Sequence, residues 1–241
     1  MDKATCGNGS TEGTEGDAAQ RFEVGQDGSV AAAITSAVSP PTPVAPVAPV
    51  TSAATSMTDM AAAAADCRRC ELCKTRTQVV WGIGPDDARA VFIGEAPGRT
   101  EDEGGAPFIG AAGKILDELL QRAHIRRSDI YITNIVKCRP PGNRDPQDLE
   151  IVACRGYLNA QLRLLRPRVI VTLGAFATRL ILQTGQGISG LQGRVFERHN
   201  LRILPLYHPA ATIYDQLKRE PFFAAAPLLE RLVATPREQS S

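Results

Sequence analysis

No stretch of this 241-residue chain approaches the roughly 20 consecutive apolar residues that a membrane-spanning helix needs, so no such helix is expected within it. The opening residues, MDKATCGNGSTEGTEGD, lack the basic start and apolar stretch of a secretion signal, and a cytoplasmic protein is expected. In that compartment stable disulfides are uncommon, and clustered cysteines more often hold metal or do redox chemistry. No internal repeat is present, which argues against a solenoid or propeller. The glycine pair in WGIGPDD precedes a strand pattern instead of following one, so it is not a dinucleotide fingerprint. The first sixty residues have few large apolar side chains, too few to offset the entropy of ordering them.

What that first segment does contain is Gly, Ser, Thr, Ala and Pro, including SPPTPVAPVAPV (Ser39 to Val50), which reads as an extended polyproline-type spacer. Three regions follow: a low-complexity tail over 1–60, one domain of ordinary size over 61–236, and a flexible end over 237–241. Charge divides the same way. Residues 1–60 carry Lys3 and Arg21 against seven acids, so the overall charge of +1 hides a mildly basic domain behind an acidic tail. A basic domain is compatible with a polyanionic partner and equally with a solvated surface.

Four apolar runs rich in β-branched residues read as buried parallel strands: RAVFIGEA (Arg89 to Ala96), IYITNIVKC (Ile130 to Cys138), RPRVIVTLG (Arg166 to Gly174) and LRILPLYHP (Leu201 to Pro209). Helical patterns separate them. AAGKILDELLQRAH puts Ile115, Leu116, Leu119, Leu120 and Ala123 on one face, DPQDLEIVACRGYLNAQLRLL follows Pro146, AFATRLILQ follows the third strand, and PFFAAAPLLERLV closes the chain, with a break or kink at Pro227. Alternation of this kind implies an α/β three-layer sandwich: a central, mainly parallel four-stranded sheet with helices on both faces. In such sheets ligands bind beyond the carboxyl ends of the strands, where GEAPG, TNIVKC and HPA converge.

Six cysteines are present. Cys6 falls in the tail. Cys67 and Cys70 form a C-x-x-C pair, Cys138 ends the second strand pattern and Cys154 lies on the helix after it. Four thiolates drawn from a tight pair and two distant singles suit either a tetrahedral zinc ion or an iron–sulfur cube. Unliganded core cysteines are the third possibility. Cys73 makes an alternative C-x-x-C with Cys70, and spacing does not choose between Cys67 and Cys73.

Taken together, GEAPGRTEDEGGAPFIGAAGKILDELL, YITNIVKCRPPGNRDP, the later Cys154, VIVTLGAFA and YHPA resemble the family-four, iron–sulfur uracil-DNA glycosylases of bacteria and archaea. The resemblance runs from about Cys67 to Tyr214. Its register at the C-x-x-C, Leu72, Arg76 and VVWGIG implies Cys67, Cys70, Cys138 and Cys154 as ligands of a structural [4Fe–4S] cluster, with Cys73 the spare. It implies a DNA repair enzyme that flips uracil from DNA, hydrolyses its N-glycosidic bond and leaves an abasic site, acting as a monomer in the bacterial cytosol on single- or double-stranded DNA.

The same resemblance implies site residues. Glu95 in GEAPG would be the catalytic carboxylate, with Glu101 and Asp102 as a second possibility. The neighbouring Ala96, where family-one enzymes carry an aspartate, would border the substrate. His208 in YHPA would donate to uracil O2 as negative charge accumulates. Asn134 would read the O4 and N3–H edge, and Phe108 would stack on the base. Lys137, Arg139 and Arg144 are candidates for phosphate contacts. His124 and His199 have no motif around them. Two other readings stay open: a covalent, uracil-site-trapping variant, against which the short histidine-free CRPPGNRDPQD speaks, and a non-catalytic iron–sulfur DNA-binding module.

Overall fold

The structure, a computed structural model, describes residues 56–198 and 200–234. Most of the low-complexity tail, Cys6 included, lies outside the described residues, as do His199 and the chain after 234.

The sheet has five strands, not four: β1 (Ala90–Gly94), β2 (Tyr131–Asn134), β3 (Val169–Leu173), β4 (Phe196–Arg198) and β5 (Leu201–Leu206), in the order β2-β1-β3-β5-β4. β1, β2, β3 and β5 pair in parallel, and β4 pairs antiparallel with β5. The added strand is three residues long and half exposed, with the sequence Phe-Glu-Arg, so neither length nor apolarity marked it. It closes the edge beside β5 only as far as Ile203. Pro205, which has no N–H to give, lies beyond that pairing.

The four parallel strands are buried along nearly their whole length, and side chains alternate between two apolar layers. Val91, Ile93, Ile170 and Ile203 face one layer with Leu158 and Leu162 of α4 (Asp148–Leu165) and Ile181 of α5 (Ala175–Leu182). Phe92, Ile132, Val171 and Leu204 face the other, with Leu116, Leu119 and Leu120 of α3 (Ala111–Arg122). Phe222 of α8 (Gln216–Ala224) and Leu229 of α9 (Ala226–Ala234) complete that layer. This is the expected three-layer sandwich. Short helices α2 (Arg99–Gly104), α6 (Ile188–Leu191) and α7 (Ala211–Tyr214) decorate the loops. The final helical pattern breaks at Ala225, which leaves Pro227 in the first turn of α9, where its missing N–H has no helical partner to lose.

The described residues open on α1 (Met57–Ala65), which the Ser56 hydroxyl caps and which buries Met57, Met60 and Ala64. Alanine favours helix so strongly that two methionines three residues apart suffice to seat it. One boundary differs from the sequence reading: β2 stops at Asn134, four residues before Cys138. The chain there bends out of the sheet to meet the cysteine-bearing segment, and the Val80 N–H donates to the Lys137 carbonyl at 2.8 Å. Among the described residues no helix is long and apolar enough to cross a membrane.

Candidate active site and cysteine centre

The carboxyl ends of β1, β2 and β5 open into one cavity of about 290 Å³, lined by Glu95, Ala96, Phe108, Asn134, Arg144 and His208 among others. Glu95 and Ala96 follow β1, Asn134 is the last residue of β2 and His208 follows β5, so the parallel topology alone gathers them. Phe108 comes from the loop before α3. The rings of Phe108 and His208 stand 5.7 Å apart, tilted by 33°.

Gly94 sets how closely this floor packs. It pairs with Asn134 across the sheet. A Cβ there would sit 2.5 Å from the Phe108 ring, and closer still to the Asn134 side-chain oxygen. Only a residue without a side chain lets both approach β1. Asn134 is 2% exposed, and its Oδ1 has no hydrogen-bond partner among the described residues. A buried acceptor left without a donor is costly unless a ligand supplies one.

Phe108 holds a left-handed backbone, φ 54°. Two side chains fasten it. Arg127 donates to the carbonyls of Pro107 and Phe108, both at 2.8 Å, while Glu101 accepts from the N–H groups of Ile109 and Gly110 at 3.1 and 2.9 Å. Glu101 is therefore occupied as a loop staple. Asp102 is buried away from the cavity, both oxygens accepting from the Thr77 N–H. Of the three candidate carboxylates, Glu95 alone lines the cavity with no hydrogen bond or ion pair to its carboxylate among the described residues. Burial, reinforced by the negative charge of Asp145, pushes Glu95 up to about 7.

His208 moves the opposite way, down to about 4, because burial disfavours its charged form more than Glu101 favours it. Its Nδ1 receives the Ala210 N–H at 3.2 Å. The ring is thus a neutral imidazole with its proton on Nε2.

The phosphate candidates separate. Arg144 lines the cavity mouth, but both its terminal nitrogens are held by the buried Glu150 carboxylate, at 2.9 and 2.6 Å. Arg139 donates Nε to Asn143 at 2.7 Å. Lys137 is corrected: it is 1% exposed and its ammonium is bonded inside the protein, so no phosphate reaches it. Its place in the basic run Lys137–Arg139 concealed that the residue before Cys138 faces inward.

A second, smaller cavity is lined by Cys67, Cys70, Cys138 and Cys154 together, with Lys137, Arg76, Arg69 and Tyr157; Cys73 is not on its wall. Arg76 acts as a fork: Nη1 donates to Cys138 Sγ at 3.3 Å, and Nη2 to the Cys67 carbonyl at 2.7 Å. The Lys137 N–H donates to Cys154 Sγ at 3.3 Å. Burial pushes Cys138 up to about 11 and Cys154 up to about 12, so these thiols become thiolates only with compensating positive charge. Among the described residues no three Cys, His, Asp or Glu side chains converge on one point as ligands of a single ion do. Zinc–thiolate bonds of about 2.3 Å would bring the sulfurs within about 4 Å of one another. A cube takes one thiolate on each of four irons and spreads them wider. Four thiols on one wall, with N–H donors to two of the sulfurs, fit that donor set. Arg76 and Lys137 are the residues whose contribution spacing did not reveal, although Arg76 belonged to the motif register.

Known proteins resemble the chain across the segment that builds the first cavity. The sequence model described as the uracil DNA glycosylase superfamily matches residues 81–229. A type-4 uracil-DNA glycosylase of Archaeoglobus fulgidus is 46% identical over 157 residues, covering 62% of this chain and 79% of that protein. Type-4 uracil-DNA glycosylases of Sulfurisphaera tokodaii (39% over 171 residues, 67% and 78%) and Thermotoga maritima (44% over 137 residues, 56% and 71%) are similar as well.

Proposed function

The chain belongs to the uracil DNA glycosylase superfamily, within it to the type-4 group, and on that premise we propose that it excises uracil from DNA by hydrolysing the N-glycosidic bond. The observation that carries this reading is the single cavity in which Glu95, Phe108, Asn134 and His208 meet.

A cavity of about 290 Å³ suits one pyrimidine ring, and a base inside a duplex must swing out of the stack to enter it. The orphan Oδ1 of Asn134 would accept from uracil N3–H and its Nδ2 donate to O4; cytosine would present its N4 amine to that donor. Phe108 would stack on the base, and Ala96 leaves the wall beside Glu95 small. As the bond between N1 and the sugar lengthens, negative charge gathers on the uracil ring, and Nε2–H of His208 would donate to O2. Positive charge grows at C1′. An ionised Glu95 would stabilise it and take a proton from the attacking water, a task for which a carboxyl near 7 is suited. Arg139 and the Arg144 loop would meet the phosphates beside the cavity.

Cys67, Cys70, Cys138 and Cys154 would hold a [4Fe–4S] cluster. When bound, it supplies cross-links joining the segment before β1 to the β2–α4 connection. That connection carries Arg139, Pro140, Asn143 and Arg144, three of which line the substrate cavity.

The test is incubation of the intact chain with single- and double-stranded oligonucleotides containing one uracil, followed by alkali. Strand breaks at uracil are expected. A protein–DNA adduct, or binding without breaks, would overturn the proposal.

A further inference from the structure

Lys137 is among the largest fully buried side chains, and what surrounds it is unusual for a lysine. Its ammonium donates to Thr133 Oγ1 at 2.6 Å, to the Asn134 carbonyl at 2.7 Å and to Gln161 Oε1 at 2.6 Å. Three donors meet three acceptors, so the hydrogen bonding is complete. The acceptors are deliberately oriented: Gln161 donates its own amide to the Trp81 carbonyl at 2.9 Å, which turns its oxygen toward Lys137, and Thr133 donates to the same carbonyl.

All three acceptors are neutral. No carboxylate pairs with Lys137 among the described residues. Hydrogen bonds to neutral oxygens orient a buried cation but do not cancel its charge, and an uncompensated interior charge is costly. Burial pulls the ammonium down to about 7, and the sulfurs of Cys154 and Cys138, where ionised, counteract that. Lys137 also lines the cavity shared by all four cysteines, and its own N–H donates to Cys154 Sγ.

From this geometry we infer that Lys137 is the internal counter-cation of the four-cysteine centre, and a positioning residue that fastens that centre to the strand end carrying Asn134. It rests on the cluster reading given above. Four thiolates leave the loaded centre with net negative charge, which the ammonium offsets from inside while Arg76 offsets it at Cys138. The same ammonium holds the backbone carbonyl of Asn134, the residue whose side chain would read the base.

The experiment compares the iron-loaded intact chain with its Lys137→Met and Lys137→Arg variants, measuring iron content and the midpoint potential of whichever cluster couple is electrochemically reversible. Removing a nearby positive charge makes an electron harder to add. Lys137→Met is expected to shift the potential to more negative values, with Lys137→Arg close to wild type. An iron-loaded Lys137→Met with unchanged potential overturns the inference. If Lys137→Met loses iron and Lys137→Arg keeps it, the need for charge stands; if both lose it, the side chain serves shape and the inference falls. Absence of iron from the wild-type chain would remove the cluster reading, and this inference with it, which is distinguishable from an unchanged potential in a loaded variant.

Discussion

The Ala210 N–H stands 3.2 Å from Nδ1 of His208, and this contact decides where the imidazole carries its proton. Because Nδ1 accepts, Nε2 donates. The amide of Gln reaches roughly as far as Nε2, and that of Asn only as far as Nδ1. His208→Ala should therefore lower the single-turnover rate of uracil excision by about 10²–10³, His208→Gln should recover part of that loss, and His208→Asn should not. Equal rates for Gln and Asn would place the donor elsewhere.

Glu95 predicts the acid limb of the pH profile. Burial and Asp145 raise it to about 7, so its ionised fraction grows as pH rises through neutrality, while His208 is already neutral above about 4. kcat/KM should rise with an apparent pKa near 7, and in Glu95→Gln the rate should fall by about 10²–10⁴ with that limb gone. An unaltered limb in the variant would assign it to another group.

The same shift has a stability consequence of opposite sense. A carboxyl raised above its unfolded value binds its proton more tightly in the native state, so its contribution favours folding below about 4.5 and is lost as pH rises through 7. Glu95→Gln removes that loss. The variant's Tm should exceed wild type at pH 8 by more than it does at pH 5; the reverse order would mean that Glu95 is stabilised as an anion.

How much of this was legible beforehand depended on what each residue leaned on. The four parallel strands announced themselves because both faces are buried, which forces continuous β-branched runs. β4 did not, since an edge strand of three half-exposed residues has no such signature. Glu95, Asn134 and His208 were placed at one sheet edge by motifs at strand ends, where parallel topology brings distant segments together, whereas Phe108, in the loop before α3, rested on the family resemblance. The role of Glu101 as a staple for the Phe108 loop, and of Lys137 as an inward-facing cation, depends on side-chain direction beyond the strands, and no period in the sequence encodes that. Cys67 and Cys73 are equivalent by spacing, and only the turn Glu71–Lys74 separates them in space.

Gly94 tests the packing of the cavity floor. Gly94→Ala places a methyl against Phe108 and Asn134 and should cost about 1–3 kcal/mol of stability, read from chemical denaturation. Uracil excision should fall further than stability alone explains, since both displaced groups would contact the base in the proposed reading. Full activity would show that the floor need not be so close.

The cysteine assignment is checked by iron and sulfide analysis. Cys73→Ser should keep wild-type iron, whereas Cys67→Ser should lower it, because Cys67 and not Cys73 lines the shared cavity. The opposite pattern would exchange their roles.

If one cavity both reads and releases uracil, a crystal structure of the chain with free uracil will show it. The base is expected stacked on Phe108, with N3 within about 3 Å of Asn134 Oδ1 and O2 at a similar distance from His208 Nε2. Uracil bound elsewhere, or seated with Asn134 Oδ1 still unpartnered, would contradict it.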